Sequence, residues 1–215
     1  MAGAVPYYYP LVAEHDFLPY VKGIPEEIAN KAKYMVVSLP SNPVGSIATP
    51  GAKDIGVEFF SLSKSFNVTG ARLSFLVGRP DVIAALRKLR SQIDFGMFLP
   101  IQKVAIAALT GPLDGVQRQC GEYQRRRDAL CGGLRSIGWD VPNSHGSMFV
   151  WAPVPAGYKT SMEFCLALID KAGVICTPGS SFGPLGEGYV RFALTLPPER
   201  IAEAVQSIKA SGILN

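Results

Sequence analysis

A lysine set between hydroxyl side chains is the first feature of the sequence that could carry chemistry. Lys64 closely follows the apolar run 57–62. Ser61 and Ser63 precede it by three residues and by one, and Arg72 follows it by eight. Partial desolvation after such a strand would lower the lysine pKa and free the amine to attack a carbonyl. The hydroxyls and the planar guanidinium suit a phosphate group. The segment therefore predicts an amine beside a phosphate clamp, as pyridoxal 5'-phosphate requires.

Two further motifs carry polar side chains that could bind a ligand. Asn42-Pro43-Val44-Gly45 forms a turn signal after an apolar run. Arg191 lies in the apolar run 189–194, where strand alternation places it on the face opposite Val190, Phe192 and Leu194. An arginine in so apolar a strand must find an anion, either a fixed acid or a substrate.

The motifs and their order resemble the fold-type I pyridoxal-phosphate-dependent aminotransferases of class I/II, over nearly all 215 residues. Ser61-x-Ser63-Lys64 with Gly70-x-Arg72 is similar to the cofactor-lysine signature of that family. The resemblance implies that Lys64 binds the cofactor covalently and later moves a proton between substrate and cofactor. It also implies that Ser61, Ser63 and Arg72 bind the cofactor, with Ser61 and Arg72 on the phosphate.

The same resemblance assigns roles to the other two motifs. Asn42 would hydrogen-bond the ring oxygen of the cofactor, and Arg191 would grip the α-carboxylate of the substrate. The loop 178–183 also matches the family. A homodimer is implied because the family builds its site at a subunit interface.

The elements needed to position these residues give an α/β fold. Apolar runs predict strands at 34–39, 57–62 and 73–78, the first buried on both faces of a parallel sheet. Helical patterns cover about 81–93, 100–109 and 114–137. Strands and helices alternate after residue 147, with strands at 147–154, 174–177 and 189–195 and helices at 161–172 and 198–210. We expect an incomplete, mostly parallel large domain over 1–111 and a C-terminal α+β small domain over 112–215.

Complete members of the resembled family are close to twice as long as this chain. The N-terminal half of the large domain is missing, and so is an internal segment after Thr49 that bears the acid pairing with the pyridine nitrogen. Two interpretations stay open: part of a longer aminotransferase, or a true truncation that cannot transaminate. The first is favoured, because a joint at Thr49-Pro50 would delete an interior strand and helix.

Composition excludes several other classes of function. The net charge of +4 is small and scattered, which argues against a nucleic-acid or membrane partner. Two histidines and four cysteines without CxxC spacing predict no metal site and reduced thiols in a cytoplasmic protein. Cys120 and Cys131 lie eleven residues apart on one helix, so both are expected in the core. No secretion signal or membrane span is expected.

Short motifs favour one branch of the family. The segments 6–11, 17–19, 24–27 and 96–102 look most like the LL-diaminopimelate aminotransferases and relatives acting on aspartate or alanine. The implied reaction exchanges an amino group with a 2-oxo acid such as 2-oxoglutarate. A β-lyase or decarboxylase on the same scaffold, and a non-catalytic remnant, remain as alternatives.

Overall fold

A computed structural model describes residues 5–39, 41–43, 56–94 and 96–214. The chain divides into two compact units, one formed by residues 1–48 with 123–215 and the other by residues 49–122. None of the helices described is long and apolar enough to cross a membrane. The predicted domains 1–111 and 112–215 differ from these packing units and stay a prediction.

The first unit has a three-stranded antiparallel sheet at its centre. Its strands are β3 (Phe149–Pro153), β4 (Thr177–Pro178) and β5 (Tyr189–Ala193), in the order β3-β5-β4. Strand alternation buries Val150, Ala152, Val190 and Phe192. These side chains belong to one hydrophobic cluster with residues of three helices, and the opposite face of the sheet carries Phe149, Trp151 and Arg191.

The helices of this unit begin and end where local chemistry dictates. They are the second half of α5 (Asp114–Ser136), α6 (Ser161–Ala172) and α7 (Pro198–Ser211), and the short α1 (Glu26–Lys31) lies near the N-terminus. The Thr160 hydroxyl caps α6 by accepting from the Glu163 amide at 3.1 Å. Gly173 and Gly212 end α6 and α7 in the left-handed conformation.

The second unit is built on an antiparallel strand pair. Strand β1 (Val57–Ser61) pairs with β2 (Ser74–Gly78), and their connection holds the one-turn helix α2 (Leu62–Ser65) and a 3-10 turn at Thr69–Ala71. Helices α3 (Pro80–Arg90) and α4 (Leu99–Thr110) follow. Of the residues described in this unit, only Leu62 and Leu73 are buried hydrophobics. The unit therefore exposes most of its apolar surface.

Two sequence-based predictions about these segments are wrong. The run Tyr34–Val37 forms no strand and is exposed, because the described residues offer it no strand partner. Cys120 is exposed, whereas Cys131 is buried as predicted; α5 has an exposed first half and buries only its second half. All strand pairs in the described part of the chain are antiparallel, so the predicted parallel pairing is not seen there.

Candidate active site

The lysine segment lies directly after strand β1. Lys64 is the third residue of the one-turn helix α2, which Ser61 caps by accepting from the Ser63 amide at 3.2 Å. The hydroxyl oxygens of Ser61 and Ser63 lie 3.0 Å apart. The Thr69 hydroxyl donates to the Ser63 carbonyl at 3.2 Å, and the Gln119 amide donates to the Lys64 carbonyl at 3.0 Å. The backbone around the lysine is therefore held from both sides.

The side chains of Lys64 and Arg72 make no polar contact with the described residues. Both residues are exposed, and neither side chain has a hydrogen-bond or ion-pair partner within the described residues. The prediction that Lys64 is partly desolvated is thus wrong for this structure, since so little of the second unit is buried around it. An amine and a guanidinium without partners in the described part of the chain, together with two neighbouring hydroxyls, lie on one short connection and fit the carbonyl and phosphate of pyridoxal 5'-phosphate.

Arg191 of β5 lies on the sheet face opposite the hydrophobic cluster. Strand register places Arg191 opposite Trp151 on β3 and opposite Thr177 on β4. Its Nη1 donates to Asn42 Oδ1 at 2.9 Å, and its Nη2 donates to Thr177 Oγ1 at 3.4 Å. Its Cζ lies 4.2 Å from the ring centroid of Phe149 and 4.8 Å from that of Phe182.

The charge of Arg191 has no anionic partner among the residues that the structure describes. Its hydrogen-bond acceptors are neutral, its Nε is buried without a partner, and burial lowers the pKa of the guanidinium. Of the two anions considered from the sequence, a fixed acid is therefore excluded within the described residues. A desolvated cation with spare N–H groups is instead ready to bind an external anion.

The structure brings together some of the predicted residues. Asn42 and Arg191 meet although 149 positions separate them, and Ser61, Ser63 and Lys64 form one cluster, with Arg72 at the end of the same connection. The two groups belong to different compact units. Val44 and Gly45 of the turn motif lie outside the described residues.

Sequence reasoning missed three contacts of Arg191. Thr177 and Phe149 share its sheet face, and a consistent use of strand alternation could have found Phe149. Phe182 ends the 3-10 turn Gly179–Phe182, within the loop already singled out from the sequence. Its contact with Arg191 depends on tertiary packing, which no local pattern reveals.

Comparison with known proteins decides the family. Residues 51–208 match the family described as aminotransferase class I and II. The chain belongs to the class I and II aminotransferase family. The predicted resemblance and the α/β class are thereby confirmed. The family depends on pyridoxal phosphate.

Named relatives point to one branch of this family. The chain is 41% identical over 253 residues to an LL-diaminopimelate aminotransferase of Halothermothrix orenii, covering 99% of this chain and 65% of that protein. It is 39% identical to the enzyme of the same name from Moorella thermoacetica, covering 97% of this chain and 64% of that protein.

Solved structures agree with the sequence relatives. Substrate-bound BacF of Bacillus subtilis superimposes with a TM-score of 0.89 at 28% identity, covering 95% of this chain and 62% of that one. A probable N-succinyldiaminopimelate aminotransferase of Thermus thermophilus gives 0.80 at 29% identity, covering 91% and 63%.

The chain spans slightly less than two thirds of the length of these relatives. The match to the Halothermothrix protein extends over 253 residues, which exceeds the 215 residues of this chain by 38. At least that many aligned positions of the relative therefore have no counterpart here. An internal gap of this size is consistent with the segment that we expect to be missing after Thr49, a position outside the described residues.

Proposed function

We propose that the complete protein is a pyridoxal-phosphate-dependent aminotransferase. It would exchange an amino group between an amino acid and a 2-oxo acid, with glutamate and 2-oxoglutarate as the second pair. LL-diaminopimelate is the favoured amino donor because both quoted sequence relatives carry that name, and aspartate and alanine are the next candidates. The observation that carries the proposal is the exposed Lys64 amine, which has no partner among the described residues, beside the Ser61 and Ser63 hydroxyls and within the region that matches the family.

Lys64 would have two roles. When bound, pyridoxal phosphate supplies a reactive aldehyde and a ring that accepts electron density from the substrate α carbon. The Lys64 amine would hold the cofactor and, once released, carry a proton to and from that carbon. The hydroxyls of Ser61 and Ser63 and the Arg72 guanidinium would donate to the phosphate.

Asn42 and Arg191 would orient the substrate and the cofactor ring. Arg191 would bind the α-carboxylate through the N–H groups that its neutral partners leave free. The Asn42 side-chain oxygen already accepts from Arg191, so its NH2 group is left to donate to the ring oxygen of the cofactor.

The exposed apolar surface of the second unit supports a longer protein. Phe59 is 78% exposed, Ile106 61% and Leu89 57%, and so much apolar surface is unusual unless another segment or chain covers it. We therefore favour a protein in which further segments of the kind found in the relatives complete this unit. A cytoplasmic homodimer is the proposed assembly.

Covalent trapping tests the proposed function. The protein is incubated with pyridoxal phosphate, reduced with borohydride and digested, and the modified residue is mapped by mass spectrometry. We expect one adduct, on Lys64, and its loss in Lys64→Ala. Lys88→Ala, which removes an exposed lysine of α3 in the same unit, is the matched control and should keep the adduct.

The results separate the three candidate functions. An adduct together with transfer of 15N from an amino acid to 2-oxoglutarate supports an aminotransferase. Release of ammonia or CO2 from the same substrate would show a β-lyase or a decarboxylase instead. A folded chain with an intact mass of 23.1 kDa and no adduct would show a non-catalytic remnant.

A further inference from the structure

We propose that Phe149 and Phe182 are positioning residues for substrate binding, because they fix and desolvate the Arg191 guanidinium. This inference rests on the proposed function, in which Arg191 binds the substrate carboxylate. Both rings contact Arg191 and neither carries a charge or a hydrogen-bonding group. Their effect on the reaction would therefore pass entirely through the arginine.

Both rings lie close to the guanidinium. Each centroid lies within 5 Å of Arg191 Cζ, at 4.2 Å for Phe149 and 4.8 Å for Phe182. An aromatic face within about 6 Å attracts a cation through the ring quadrupole. The guanidinium is thus flanked by two attractive surfaces.

Each ring is held by its own element. Phe149 begins strand β3, and its position two residues from Trp151 places it on the sheet face of Arg191. Phe182 packs edge-on against Trp151, with centroids 5.7 Å apart. Its loop is fixed by a close approach of two glycines, since a β-carbon on Gly179 would collide with the Gly186 carbonyl oxygen. The sheet and the loop therefore place both rings beside Arg191.

Aromatic neighbours attract the Arg191 guanidinium without neutralising its charge, as an acidic neighbour would. A carboxylate would neutralise the guanidinium and compete with the substrate, whereas a ring attracts the cation and leaves its charge available. Rings over the guanidinium also exclude water from its faces, which strengthens attraction to an incoming carboxylate. N–H donors lie in the guanidinium plane, so binding would occur at its free edge. The structure therefore keeps the cation positioned and unneutralised.

Leucine substitutions test the role of each ring. Phe149→Leu, Phe182→Leu and the double variant keep apolar bulk but lose the aromatic face. Phe182→Tyr keeps the aromatic face, and Tyr20→Leu removes an exposed ring that stacks on His15 and is not among the rings described in contact with Arg191. Steady-state rates give kcat and KM for 2-oxoglutarate. Calorimetry gives its Kd for borohydride-reduced protein, which cannot turn over.

We expect each single leucine variant to raise Kd and KM by roughly three- to five-fold, and the double variant by about ten-fold or more. The kcat value should stay within about two-fold of wild type, since binding and not the chemical step is affected. Phe182→Tyr and Tyr20→Leu should behave as wild type.

Two results would count against the proposal in different ways. Leucine variants that bind 2-oxoglutarate as tightly as wild type would refute the role of the rings but not the proposed function. A Phe182→Tyr variant that binds it as weakly as Phe182→Leu would do the same. Wild-type protein with no Lys64 adduct and no 2-oxoglutarate binding would instead refute the proposed function, and this inference with it.

Discussion

Replacing Arg191 with methionine should abolish carboxylate binding while leaving the fold intact. Methionine matches the length of the aliphatic part of arginine, and its thioether makes favourable contacts with aromatic rings such as Phe149 and Phe182. The substitution therefore removes the charge and the donors without opening a large cavity. If Arg191 serves a ligand and not the fold, function and stability should separate in this variant.

The magnitudes follow from the contacts of the side chain. Arg191→Met loses two hydrogen bonds to neutral acceptors, about 1 kcal/mol each, and two ring contacts of about 0.5–1 kcal/mol each. It gains relief from the partial desolvation of a charge without an anionic partner and from a buried Nε without a hydrogen bond, the latter about 1–3 kcal/mol. These opposing effects are similar in size, so the free energy of unfolding should change by no more than about 1 kcal/mol.

Carboxylate binding should respond far more strongly. Truncating one partner of a desolvated charge pair costs about 2–5 kcal/mol, which corresponds to roughly 30-fold to several thousand-fold in Kd. Calorimetry with 2-oxoglutarate on borohydride-reduced protein measures this loss. Scanning calorimetry measures the fold, where we expect a Tm shift of at most about 4 °C. Arg200→Met, which removes an exposed arginine of α7 paired with Glu203, is the control and should change neither quantity.

One result would refute the reasoning outright. If Arg191→Met unfolds the protein or lowers Tm by much more than about 4 °C while the control does not, the arginine is a structural residue. Its buried charge would then be compensated in the complete protein by a group other than a substrate.

Three further predictions concern stability and the cysteines. Gly132→Ala should raise Tm, because alanine has the higher helix propensity and no described atom outside the helix backbone and the two adjacent residues lies within 4 Å of the new β-carbon. Gly133→Ala should lower Tm, because its β-carbon would lie 2.9 Å from Val205 Cγ2. Scanning calorimetry on the two variants checks the opposite signs. Only Cys120 should react quickly with a thiol reagent in folded protein, since burial raises the pKa of the other three thiols; a fast phase that persists in Cys120→Ser would contradict this. Backbone N–H groups lower the pKa of Glu187 below its ordinary value of 4.5, so its stabilisation is complete above pH 4.5 and lost as the pH falls through the lowered pKa; the Tm difference between wild type and Glu187→Gln should therefore disappear in acid.

The sequence predicted the C-terminal part of the fold well because its signals are local. Helix α6 is predicted at its observed bounds, where a threonine caps its start and a glycine ends it. The alternation of β5 correctly places Arg191 on the face opposite Val190 and Phe192, since the period of two is a property of any extended strand. Both kinds of signal are independent of what the rest of the chain does.

Predictions that required a distant partner were less successful. The run Tyr34–Val37 is apolar enough for a buried strand, but a strand also needs neighbours to satisfy its backbone groups, and the described residues provide none. Desolvation of Lys64 failed for the same reason, because the packing that would bury it is not present in the described part of its unit. Local patterns indicate what a segment can do, whereas burial depends on the segments that cover it.

The two halves of the candidate site differ in how much they depend on missing structure. The carboxylate half is complete in one unit: Arg191 is held by Asn42 and Thr177 and flanked by Phe149 and Phe182, all through described contacts. The lysine half has its backbone fixed, yet the Lys64 amine is exposed and uncommitted among the described residues. We therefore expect 2-oxoglutarate affinity to depend mainly on residues of the first unit, whereas the rate at which Lys64 reacts should also depend on what packs against the exposed apolar surface of the second unit.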